Sequence, residues 1–73
     1  MKTVVASRKW EESHIARFGA PAGVDRREVE IVSREFNGRT YLTETTFCNG
    51  VVTQAHQYPA GTEYAAKRIA LCN

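Results

Sequence analysis

Two Asn-Gly pairs, Asn37-Gly38 and Asn49-Gly50, constrain this 73-residue chain more than any other feature. Asparagine followed by glycine accepts the positive φ angles of a type I′ turn, whose twist matches that of the strands it joins. Each pair is flanked by stretches rich in β-branched and aromatic residues, so each is expected to close a two-residue hairpin. The result is a three-stranded antiparallel meander running roughly over 28–36, 39–48 and 51–58, stopped by Pro59-Ala60-Gly61.

After that stop, Thr62 can cap a helix through its hydroxyl, Glu63 suits the positive first turn, and Ala65, Ala66, Ala70 and Leu71 are strong helix formers. The pattern predicts a helix over 63–72, with Ala65, Ala66, Ile69 and Cys72 on one narrow side that suits close packing on a sheet. Tyr64, Lys67, Arg68 and Leu71 point away from that side.

The amino-terminal part reads two ways. Ser7 can cap a helix from Arg8 to Phe18 that ends at Gly19 before Pro21, with Trp10, His14 and Phe18 on one stripe. The same residues fit a strand, since Thr3 to Ala6 is β-branched and Ser13 to Phe18 alternates weakly. In either case Ala20 to Asp25, with Pro21 and Gly23, is expected to be a connecting loop. The expected fold class is α+β, one domain over 1–73: the meander packed by the carboxy-terminal helix, with a short amino-terminal helix or an extra amino-terminal strand.

With both turns at two residues, one sheet face carries Val29, Ile31, Leu42, Cys48, Val51 and Ala55, which match the Ala-rich helix. The opposite face collects Val32, Arg34, Phe36, Tyr41, Phe47, Val52, Gln54, His56 and Tyr58 among threonines. Such a face needs a cover or a partner. Either the amino-terminal segment packs over it with Trp10, Ile15 and Phe18, or Arg34, Arg39, Tyr41, His56 and Tyr58 form an exposed binding surface. The helix offers a second candidate surface in Tyr64, Lys67, Arg68 and Leu71, because tyrosine and arginine are over-represented among interface anchors.

A chain this short has a core only just sufficient for stability, which argues against large enclosed pockets. Ten Lys and Arg against eight Asp and Glu leave a net charge of +2, weaker than the clustered excess of a dedicated nucleic-acid binder. Cys48 and Cys72 lack the close Cys or His neighbours of a zinc site and are expected to be free, buried thiols. His14 and His56 are the histidines available for acid–base work. A Cys48–His56 pair would lack both an orienting carboxylate and an oxyanion-binding glycine loop. Phosphate-binding glycine motifs and paired carboxylates at metal spacing are absent, so no enzyme, cofactor or metal is expected. The first residues lack a signal peptide's apolar run and no segment reaches the ~20 apolar residues of a membrane span, so a cytoplasmic protein is expected.

Three meandering strands followed by an Ala-rich helix, over Glu28 to Cys72, resemble double-stranded-RNA-binding domains and the three-strand-plus-helix DNA-binding domains of some integrases and plant regulators. The RNA-binding family opens its last helix with a Lys-Lys pair and a further Lys aimed at phosphates. Here Gly61-Thr62-Glu63-Tyr64-Ala65-Ala66-Lys67-Arg68 sets the cations a turn later and an acid at the start. In length, mixed charge, lack of catalytic groups and compact α+β pattern, the chain also resembles the small proteins that phages and mobile elements encode against bacterial defence, anti-CRISPR proteins among them. That likeness implies a non-enzymatic inhibitor or adaptor that occupies a surface of a partner protein or nucleoprotein complex. The alternative is a small nucleic-acid-binding module that uses Arg34, Arg39, Tyr41 and His56 on its sheet.

Overall fold

The computed structural model describes residues 3–15 and 21–72 as an antiparallel sheet of four strands with a carboxy-terminal helix. The elements are β1 (Thr3–Ile15), β2 (Pro21–Phe36), β3 (Arg39–Cys48), β4 (Val51–Pro59) and α1 (Glu63–Cys72), and the strands lie side by side in chain order. The α+β class therefore holds, with a meander of four strands in place of three. Both hairpin turns form where the Asn-Gly pairs stand. Asn37 and Gly38 have φ of 52° and 75°, and Asn49 and Gly50 have 54° and 81°, positive at both central positions as a type I′ turn requires.

The amino-terminal helix expected from Arg8 is absent: residues 8–15 belong to β1, while Phe18, Gly19 and Ala20 lie outside the described residues. The reason is the length of β2. It starts at Pro21, where a loop was expected through Asp25, and so offers β1 a ladder from Ser33 down to Pro21. Proline is tolerated there because it is the first residue of its strand. A ladder along all of β1 outweighs the weak preference of Ser7 to Phe18 for a helix.

One extra residue decides which side chains share a face. Between Thr46 and Phe47 the β3–β4 register slips: Phe47 stands opposite Val52 and Thr46 opposite Gln54, leaving Thr53 as a bulge. Every residue after the bulge changes face relative to an unbroken hairpin. Gln54, His56 and Tyr58, expected among the open-face residues, turn toward α1, and Ala55 turns away.

The core forms under the helix from Ala6, Ile31, Leu42, Tyr58, Ala65 and Cys72, edged by Val29, Ala60 and Ile69. Ile31, at the centre, is 0% exposed. Ala65 and Cys72 take the inward positions read from the helical period, whereas Ala66 is exposed. Thr62 caps α1 as its composition implies: its Oγ1 accepts from the Ala65 N–H at 3.1 Å. From the end of β4 the helix crosses the sheet until the Cys72 Sγ lies 3.8 Å from the Val29 carbonyl oxygen. Cys48 and Cys72 are both free.

Beyond the Arg27–Cys48 pair, β1 and β2 continue as a two-stranded arm, which contributes to a length of 52 Å. Asn49 braces its root. Its backbone N–H donates to the Arg26 carbonyl at 2.8 Å, its Oδ1 accepts from the Arg26 N–H at 2.9 Å, and its Nδ2 donates to Asp25 Oδ1 at 3.1 Å.

Deleting Thr53 removes the bulge while keeping every pair from Gln54–Thr46 to Pro59–Tyr41, so the melting temperature should stay within about 5 °C of wild type. Ile31→Ala should cost about 3 kcal/mol in denaturant titrations, because its site is fully enclosed.

Candidate functional site

On the helix side of the sheet, the alternation of β3 brings an acid into the core. Glu44 lies in phase with Leu42 and is 2% exposed. A lone buried carboxylate is costly, and this one is met by three donors. The Tyr58 hydroxyl donates to Oε1 at 2.9 Å, Arg68 Nε donates to the same oxygen at 2.9 Å, and Arg68 Nη2 pairs with Oε2. The Arg68 guanidinium holds the Glu44 carboxyl below the ordinary glutamate range, against the opposing effect of burial. Burial, and then the bond to Glu44, push the Tyr58 hydroxyl upward, and Glu44 raises Arg68 further. Tyr64 packs edge-on against Tyr58, with ring centroids 5.1 Å apart and planes at 87°.

This network redistributes the helix residues read as one contact patch. Arg68 is turned inward onto Glu44, because the buried acid needs a cation and the arginine fork reaches it from one turn above Tyr64. Tyr64 and Leu71 remain more than half exposed, at 56% and 64%, and Lys67 is exposed. Leu71 borders a groove of about 270 Å³ between α1 and β1, where Arg8 lies 5.1 Å from the Trp10 ring centroid.

The residues read as a sheet-face surface are divided in the same way. Arg34, Arg39 and Tyr41 share the face turned away from α1, whereas His56 and Tyr58 lie on the helix side, carried there by the bulge. Tyr58 is buried, so it belongs to the core. Glu44 was not singled out by motif reasoning. The signal available was an acid in phase with Leu42 on a core-facing strand, with an arginine on the helix that covers it.

The face turned away from α1 carries no second layer among the described residues. Residues 3–15 do not cover it, because they lie in the sheet as the edge strand β1, while Phe18 lies outside the described residues. Among the described residues no helix or strand forms a second layer over Val4, Arg34, Phe36, Tyr41, Thr43, Phe47 or Val52, although Val32 on the same face is itself buried, 3% exposed. At the end of the β2–β3 hairpin, Arg34 stands opposite Tyr41 and Phe36 opposite Arg39, with Phe36 68% exposed. Toward the arm the same face carries Lys9, Glu11, Arg26 and Glu28 around a depression of about 460 Å³ that also reaches Trp10 and Phe47. One end is thus aromatic and cationic, and the other is mixed in charge.

The Cys48–His56 pair considered from the sequence is not brought together on the helix side. Cys48 and His56 point the same way, but His56 pairs with Glu44, four positions from Cys48 along β3, which is about 13 Å at the strand rise. Burial pushes the Cys72 thiol upward, away from the reactive thiolate. Among the described residues no group of three His, Cys, Asp or Glu could hold a metal ion, and no helix is long and apolar enough to cross a membrane. No protein-family model, curated protein or solved structure matches the chain.

The folded Glu44 carboxyl titrates below its unfolded value, so the unfolded chain takes up the proton first. The stabilisation is complete above the ordinary glutamate value of about 4.3 and is lost as pH falls through the lower folded value. Glu44→Gln should be less stable at neutral pH and show a flatter acid-unfolding profile than wild type. Arg68→Ala, which strands a buried carboxylate, should cost on the order of 2 kcal/mol, moderated by the partial exposure of the guanidinium. Replacing the network as a unit, by Glu44→Met, Tyr58→Phe and Arg68→Met together, should lie closer to wild type than Arg68→Ala alone when both are titrated with urea.

Proposed function

We propose that this chain is a non-enzymatic binding protein, an inhibitor or adaptor that occupies the surface of a partner protein with the open face of its sheet. The observation that carries this reading is the arginine–aromatic quartet of exposed Arg34, Phe36 and Arg39 with half-buried Tyr41, set on a face that no element covers among the described residues. Arginine and aromatic side chains supply most of the energy at protein interfaces, and a rigid sheet loses little entropy in presenting them. The mixed charges toward the arm, Lys9 and Arg26 beside Glu11 and Glu28, suit the polar rim of a protein contact better than a track of phosphates. An anti-defence role of the anti-CRISPR kind falls within this reading, since such inhibitors act by occupying a surface.

Binding of nucleic acid is the second reading, and the same quartet favours it, because arginine and aromatic rings also grip phosphates and stacked bases. Salt distinguishes the two. Phosphate-dominated binding weakens log-linearly as salt rises, whereas a desolvated protein contact changes far less.

Affinity capture from the source cell, with mass spectrometry, names the partner. Arg34→Ala with Arg39→Ala should then weaken the measured affinity by about tenfold or more, while Tyr64→Ala with Leu71→Ala leaves it nearly unchanged. The reverse pattern in folded variants would move the contact to the helix and sink the sheet-face reading.

A further inference from the structure

The two outer strands of the sheet are unequally guarded. β1 carries Arg8, Lys9, Glu11 and Glu12, charges of the kind that keep an edge from pairing with another chain. β4 has no Asp, Glu, Lys or Arg from Val51 to Pro59, and all its residues but Tyr58 are exposed. The helix leaves this edge open, because its packing runs toward β1 and β2.

The β3 ladder fixes which backbone groups β4 has to spare. The Ala60 N–H donates to the Thr40 carbonyl at 3.1 Å, and antiparallel bonding alternates from there. Tyr58 and His56 therefore bond inward to Leu42 and Glu44, and the N–H and C=O of Ala55 and Gln57 point outward. The Thr53 bulge bounds this stretch on one side. Pro59, which has no N–H, bounds it on the other. Between them lies the regular segment Gln54–Tyr58, and its centre is His56.

We infer that β4 pairs antiparallel with β4 of a second copy of this chain, about a two-fold axis through His56. In that register Ala55 of each copy faces Gln57 of the other, and each such pair exchanges two backbone hydrogen bonds. A shift of two residues in one direction sets Gln57 against the bulged Thr53. In the other direction it sets Ala55 against Pro59, so bonds are lost either way. The absence of charge along β4 matters as much, because a two-fold axis would bring any charge near its own copy. The axis is normal to the sheet. It joins two four-stranded sheets into one of eight strands, with both helices on one side and both open faces on the other. The pairing holds whatever the open face binds.

Sedimentation velocity at rising concentration should show a mass approaching twice the 8.2 kDa of the chain. Ala55→Lys with Gln57→Lys alters exposed side chains whose backbone groups β3 does not use, so the fold should persist, as circular dichroism can verify. Self-association should weaken by about tenfold or more, because lysines then face lysines. Mixing this variant with Ala55→Glu plus Gln57→Glu should restore the dimer as a heterodimer. A wild-type chain that stays at one chain mass overturns the inference. A dimer indifferent to both variants assigns association to another surface and overturns it equally.

Discussion

The carboxylate of Glu44 is the constraint around which this small fold is arranged. A core of alanines, a cysteine and few large aliphatics holds a helix loosely in position, because small apolar contacts change little when a helix slides or rotates. A buried acid has no such tolerance. It demands donors at fixed positions, and it obtains them from β4 through Tyr58 and from α1 through Arg68. The network thereby joins three elements at one point. It makes a single docking of the helix better than its neighbours, even where its net contribution to stability is small.

The opposite side of the sheet follows from that arrangement. A chain of 73 residues has enough apolar surface for one layer over one face, and the helix takes it. The strands must then make their other face tolerable to water, which β3 does with Thr43 and Thr45 and β2 with Glu28, Glu30 and Arg34. Phe36, Tyr41 and Arg39 exceed what solubility needs, and for that reason the hairpin end draws attention as a place of contact.

The turns and the helix were legible in the sequence because single residues with strong local preferences determine them. Asparagine and glycine at 37–38 and 49–50 accept positive φ, and Thr62 satisfies the Ala65 N–H, one of the free donors in the first turn of α1. β1 was open to two readings because Trp10 and His14 are spaced both for one helical stripe and for one strand face. What resolved it was a long-range ladder with β2, invisible to any local window. The Thr53 bulge left no mark at all, since threonine in a run of strand formers looks like any other strand residue. Its effect was nevertheless large, for it separated His56 and Tyr58 from Arg34, Arg39 and Tyr41.

Asn49 has a chemical consequence beyond its turn. Where glycine follows asparagine, the glycine nitrogen can attack the side-chain carbonyl, expel ammonia and close a succinimide, which water reopens to aspartate or isoaspartate. Both turns share this lability, but they do not share its outcome. Asn37 has a side chain exposed at a hairpin tip, so the change there adds a surface charge. At Asn49 the same reaction converts the Nδ2 donor to Asp25 into a second carboxylate oxygen facing that acid, at the root of the β1–β2 arm. Ageing of the protein would therefore loosen the arm long before it touched the core, and molecules of different age would differ in how far the arm is held in line with the sheet.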